Sequence, residues 1–156
     1  RLFKLEYKLL FKNLELKTDK FKNLKIITQG YDYAIPSSEK GFGINIFRIA
    51  RPITNWLMNN GKWLKTPLLM RGYNDSKEQT AIVFGVIEHF NEMLIEVGAE
   101  YDNVYHIDSR GAVNVNKGWY NELHFKSSEF KKIASVFEKC IESTDKVKKI
   151  YKVTEE

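Results

Sequence analysis

The sequence predicts a single α/β domain, residues 1–156, with parallel strands and helices packed on the faces of the sheet. Three observations point there. Helix-like and strand-like segments alternate in the order helix, strand, loop, helix, strand, loop, helix, the pattern of parallel strands joined by helical crossovers. The two strand-like runs, "LKIITQ" and "NVYHID", are short and apolar, and each ends in a polar turn. The chain is 156 residues long, 43% hydrophobic and 13% aromatic, enough for one packed core.

The elements follow in order. Residues 1–23 hold a helix and a connection, with Leu2, Leu5, Leu9 and Leu16 forming a loose helical stripe beside Phe3 and Leu10. No start signal precedes that stripe, and the chain opens on Arg1, so the expectation is a piece of a longer polypeptide. Residues 24–29 are β-branched and apolar and read as a buried strand feeding "GYDY". From 30 to 73 the chain carries all three prolines and two of the three tryptophans. That is a long loop region with short helical pieces, and long ordered loops often carry function. Residues 75–98 form the clearest helix: Asp75 or Ser76 caps it, Glu78 completes a capping box and Gly98 stops it. Its stripe runs through Ile82, Val83, Val86, Ile87, Phe90, Met93, Leu94 and Val97. His89 falls beside that stripe and reads as structural. Residues 103–108 are the second strand, ending in "SRG", and 127–142 the last helix, with Phe130, Ile133, Ala134, Phe137 and Ile141 on one face.

Several function classes are disfavoured. A net charge of +5, from 25 basic and 20 acidic residues, is mild, and the lysines are scattered. They read as solvated helix faces, so no nucleic-acid partner is expected. One cysteine, Cys140, allows neither an internal disulfide nor a cysteine-rich zinc site; it reads as a small buried hydrophobe in a reducing, cytoplasmic setting. No apolar run is long enough for a membrane span, and no signal-peptide core is visible. His89, His106 and His124 lack metal-ligand spacing, and the lone "GFG" follows no suitable strand. Neither a metal nor another cofactor is expected.

Ligands of open parallel sheets gather at the carboxyl ends of the strands. Here those ends are "TQGYDY" and "DSRG", with "NELH" shortly after the second. His124 sits just before the last helix, where an imidazole titrating near neutrality suits general base work. Asn121, three residues back, can orient that ring, but it lacks the charge an aspartate would bring. By spacing alone, the pair fits a structural turn better than a catalytic one. Tyr31, Asp32 and Tyr33 either line a pocket or form a turn packed by rings. No serine of the chain lies in a constrained nucleophile turn, so the chain holds at most the base half of an acyl-transfer site.

Four blocks, "QGYDYAIP" (29–36), "GKWLKTP" (61–67), "HFNEML" (89–94) and "YHIDSRGAVNVNKGWYNELHFKSSEFKKIASVF" (105–137), resemble the C-terminal half of bacterial SGNH/GDSL-type serine hydrolases. The resemblance spans about Lys25 to Phe137. It implies a flavodoxin-like, three-layer α/β/α fold with a mostly parallel sheet, of which this chain is the C-terminal part. It also implies an esterase acting on a small ester or acetylated substrate. His124 then takes the place of the general base and Asn121 that of the aspartate. Tyr31, Asp32, Tyr33 and Trp119 take the place of the pocket wall. The nucleophilic serine and its oxyanion-hole partners lie ahead of Arg1, in the upstream part of the same polypeptide. The chain departs from the pattern at Gln29 (usually His), Lys62 and Phe125 (both usually Pro) and Asn121 (usually Asp). Two alternatives stay open. Asp108 supplies the missing charge, although the resemblance pairs it with Arg110, or the domain is an inactive pseudo-hydrolase that serves as a binding module.

Overall fold

The structure, a computed structural model, describes residues 2–16, 24–36, 63–115 and 117–154. The 17–23 connection and the 37–62 part of the loop region, with "GFG" and Lys62, lie outside the described residues. The described elements are α1 (Leu2–Leu16), β1 (Ile26–Gln29), α2 (Lys65–Met70), α3 (Ser76–Gly98), β2 (Val104–Asp108), α4 (Ser127–Glu142) and β3 (Ile150–Lys152). The strands form one parallel sheet in the order β1-β2-β3. Mixed helices around a small parallel sheet make this an α/β fold. No described helix is long and apolar enough to cross a membrane.

All five residues of β2 are buried, as expected of a central parallel strand covered on both sides. Alternate residues face opposite ways. Val104 packs with Val97 of α3 and Phe11 of α1, while the Tyr105 ring lies under Lys25, whose ammonium caps the end of α4. That ammonium donates to the carbonyls of Cys140 and Ile141, both at 2.8 Å, and of Ser143, where the helix leaves carbonyls unpaired. The end of α4 is thereby tied to the start of β1.

Asp75 caps α3, its side chain accepting from the Lys77 amide at 2.9 Å. Along α3, Val83, Ile87, Leu94 and Val97 are buried together with two amide side chains, Gln79 and Asn91. Val86 is 65% exposed, and His89 stands out in solvent beside Glu92. Asn91 is fully buried and bonded on every side. Its Nδ2 donates to the Tyr31 carbonyl (3.1 Å) and the Ile87 carbonyl (2.8 Å), and its Oδ1 lies 3.3 Å from Nε2 of His106. Burial holds the His106 imidazole down to about 4, against an ordinary 6.5. The neutral ring therefore donates from Nε2, and its Nδ1 faces the Thr28 hydroxyl at 3.0 Å. Gly30 lies directly against this amide: a Cβ there would stand 1.7 Å from Asn91 Oδ1.

Three expectations are corrected. In α1 the leucine stripe does not pack: Leu2, Leu5 and Leu9 are more than half exposed, and Phe11 is the buried residue. The docking face is Tyr7 and Phe11, flanked by the ion pairs Lys4–Glu96 and Lys8–Glu100. Tyr7 meets Phe90 of α3 and Phe11 meets Tyr101 just past its end, so ring contacts fix that face. In α4 the buried line is Glu129, Ile133, Val136 and Cys140, whereas Phe130 and Ile141 are half exposed or more. Both stripes share Ile133, and contact with Tyr151 and Val153 beyond it decides the phase. Finally, β3 was not expected. Only Tyr151 of its three residues is buried, so it shows no apolar run.

Candidate active site

The residues read as a candidate site follow the carboxyl ends of β1 and β2. Asp32 follows β1 and is 1% exposed. Its carboxylate accepts from the amides of Tyr33 (2.6 Å), Gly111 (2.6 Å) and Val113 (2.7 Å). It thus clips the turn after β1 to the "SRGAV" turn after β2. Burial pushes the Asp32 carboxyl up to about 6, against the pull of the Gly111, Val113 and Ala112 amides. Gly111 turns with φ +74°, a conformation that favours glycine.

A second network braces the same turn. Asp108 accepts from the Arg110 guanidinium at 2.9 Å through each oxygen, and Arg110 reaches Glu88 of α3 at 2.7 Å. The Tyr33 hydroxyl donates to that same Glu88. Burial works to raise the Asp108 carboxyl, but the bonds from Arg110 outweigh it and hold it below the usual range. Asp108 is therefore committed to Arg110 and is not placed to support His124.

The "GWYNELHF" segment forms a small loop closed at its base. Trp119 and Phe125 form an antiparallel bridge, and the Lys126 amide donates to the Gly118 carbonyl at 2.8 Å. Both bridge rings are 5% exposed. They pack against each other and against Tyr31, which stacks on Phe125 at 5.3 Å between centroids. On this aromatic base stands the 120–124 loop, where the Tyr120 amide donates to the His124 carbonyl at 2.8 Å.

The Asn121 side chain organises the loop from within. It is 1% exposed, and its Oδ1 accepts from the amides of Leu123 and His124, both at 2.9 Å. The same oxygen lies 2.8 Å from Nδ1 of His124. An oxygen already receiving two amide protons is an acceptor, so Nδ1 carries the ring proton. That leaves the lone pair on Nε2, on an exposed side chain. No described serine hydrogen-bonds His124.

Glu122 joins this loop to the "GKWLKTP" block. It is 2% exposed and accepts from the amides of Leu64 (2.9 Å) and Lys65 (3.4 Å) at the start of α2. Next to this joint opens an almost wholly apolar cavity of about 280 Å³, walled by Tyr31, Ala34, Leu64, Leu68, Val83 and Leu123. Of the residues read as a pocket wall, Tyr31 lines this cavity, Trp119 underlies the loop, Asp32 clips the turns and Tyr33 packs at a tilt against Phe84.

The structure places His124 and Asn121 in contact; sequence reasoning missed the bonds of Glu122 and Asn91 and the clip by Asp32. A glutamate inside a turn beside a histidine gives no sign of where its carboxylate goes. Among the described residues, no group of three or more His, Cys, Asp or Glu is placed to hold a metal. Compared with known proteins, the chain matches no family model, no curated protein and no solved structure.

Proposed function

We propose that this chain is the C-terminal part of an SGNH-like serine esterase of flavodoxin-like α/β/α architecture. In this reading His124 is the general base and Asn121 the residue that positions it. The observation that carries the proposal is the 2.8 Å contact between Asn121 Oδ1 and His124 Nδ1, on a loop at the carboxyl rim of a parallel sheet. It presents Nε2 as the basic nitrogen, which is the orientation a serine hydrolase needs.

The serine belongs to sequence ahead of Arg1. Nε2 takes the Oγ proton as the serine attacks the ester carbonyl, and the imidazolium returns it to the departing alcohol. Nε2 then takes a proton from water as its oxygen attacks the acyl-enzyme, and passes that proton to Oγ as the acid leaves. The apolar cavity beside Leu123 suits the hydrocarbon part of the ester. Asn121 is neutral, so the imidazolium is oriented but not neutralised, and the base is weaker than an aspartate would make it.

A second reading, a pseudo-hydrolase that binds without turnover, is favoured by Asn121 itself and by Phe125, whose ring is buried where the resemblance expects proline. One experiment separates the two. In the protein carrying the sequence ahead of Arg1, His124→Ala should lower kcat/KM for p-nitrophenyl esters by at least about a thousandfold. Unchanged turnover refutes the assignment. No turnover in the wild type, with ester still bound, establishes the binding module.

A further inference from the structure

We propose that the groove between α4 and β3 is an anion site that takes a small phosphorylated compound by its phosphate group. It is independent of the His124 loop. The groove has a volume of about 250 Å³ and is lined by Lys132, Ser135 and Lys139 of α4 and by Lys148, Tyr151 and Lys152 around β3, with Thr154 at its end. Four lysines line it, and no aspartate or glutamate does. Gathering like charges is unfavourable unless something negative answers them.

The acids nearby do not fully answer them. Glu129 pairs with Lys132 at 3.3 Å. Asp145 gives one oxygen to the amides of Val147 and Lys148. Among the described residues, Lys139, Lys148 and Lys152 have no ion-pair partner. Lys148 is held over the Tyr151 ring, 4.7 Å from its centroid, which keeps its charge at the groove.

Tyr151 supplies the second, independent sign. The residue is 5% exposed, yet its hydroxyl has no hydrogen-bond partner among the described residues. A buried hydroxyl left unpaired is costly, and this one belongs to a residue lining a cationic groove. That hydroxyl is closed to solvent, so a phosphate oxygen reaches it only as the groove floor opens, whereas the ammonium groups around it are met directly. The Ser135 hydroxyl is committed to the Lys132 carbonyl, so the donors are the lysines, Tyr151 and Thr154.

The charge also stops where the groove stops. Lys149, next along the chain, turns to the Asp102 carbonyl and the Tyr105 ring, and Lys146 lines a different cavity. A nucleic acid backbone needs a continued basic track. A compact group in a concave pocket does not.

The test titrates the full chain with inorganic phosphate and with pyrophosphate at low ionic strength, followed by amide NMR shifts and calorimetry. Saturable one-to-one binding is expected, with shifts confined to 132–139 and 148–154. Lys139→Gln/Lys148→Gln/Lys152→Gln should weaken it at least about tenfold, and Tyr151→Phe by several-fold with folding intact. The proposal is overturned by an absence of saturation, by affinity unchanged in both variants, or by shifts elsewhere. Tighter binding of a single-stranded RNA oligomer than of pyrophosphate also overturns it. If the triple variant does not fold, Tyr151→Phe decides alone.

Discussion

Gly30→Ala is the most exacting test of the packing described above. The φ of Gly30 is not positive, so alanine meets no backbone strain, and the whole effect comes from space. The new Cβ would stand 1.7 Å from Asn91 Oδ1, 2.3 Å from Cγ and 2.7 Å from Nδ2. Asn91 must therefore leave its seat and abandon its contacts with the Tyr31 carbonyl, the Ile87 carbonyl and His106. At about 1–1.5 kcal/mol for each buried bond broken, the loss is about 3–5 kcal/mol. That lies in the upper tail for single substitutions and lowers Tm by roughly 10 °C in a chain of this size. Urea and thermal denaturation followed by circular dichroism would measure it. Asn91→Ala alone should cost a similar amount, and adding Gly30→Ala to it should cost little more, because the obstacle has gone. A Gly30→Ala loss below about 1 kcal/mol, or simple additivity in the double variant, refutes the reasoning.

Three further outcomes are expected. Asn121→Ala should cut kcat of the full-length protein roughly ten- to a hundredfold, and Asn121→Asp should exceed the wild type; steady-state kinetics of the variants reads both. His106 and Asp32 should oppose each other in acid. His106 is depressed from 6.5 to about 4, so the unfolded chain holds more protons there and stability, by up to about 3 kcal/mol, is lost as pH falls through that window. Asp32 is raised from 3.8 to about 6, so its contribution is present below about 4 and lost as pH rises to 6. His106→Gln should therefore leave a urea midpoint that falls as pH rises from 4 to 6; a midpoint that still rises over that range contradicts this. Glu122→Ala should release the amides of Leu64 and Lys65, and hydrogen exchange at those two positions should quicken while α3 stays protected.

What the residues disclosed in advance, and what they did not, divides along a physical line. "NVYHID" and the Val83, Ile87, Leu94 and Val97 line of α3 were legible because a fully covered strand and a long helix write their burial into the sequence, although Val86 of the expected stripe is exposed. β3 was not, because a three-residue edge strand with one buried side chain has no pattern to read. The phases of α1 and α4 were set by partners: Phe90 and Tyr101 meet the rings of Tyr7 and Phe11, and Val136 and Cys140 share a core cluster with Tyr151 and Val153. No periodicity within one helix contains that information. The Asn121–His124 pair was visible because its geometry is local, three residues apart in one turn. The Asp32, Asn91 and Glu122 bonds join residues some 60 to 80 positions apart, and only the fold brings them together.

The clip made by Asp32 carries a kinetic consequence. Its bond to the Gly111 amide closes a loop across 79 positions, which on its own would cost about 4 kcal/mol of chain entropy. Pairing of β1 with β2 closes nearly the same loop, so the clip adds almost nothing to that cost once the two strands have met. The rim is thus a dependent structure: it assembles after the sheet registers, and it can open while the sheet stays shut. In the native protein the Gly111 and Val113 amides should exchange through such partial openings, well before the amides of β2.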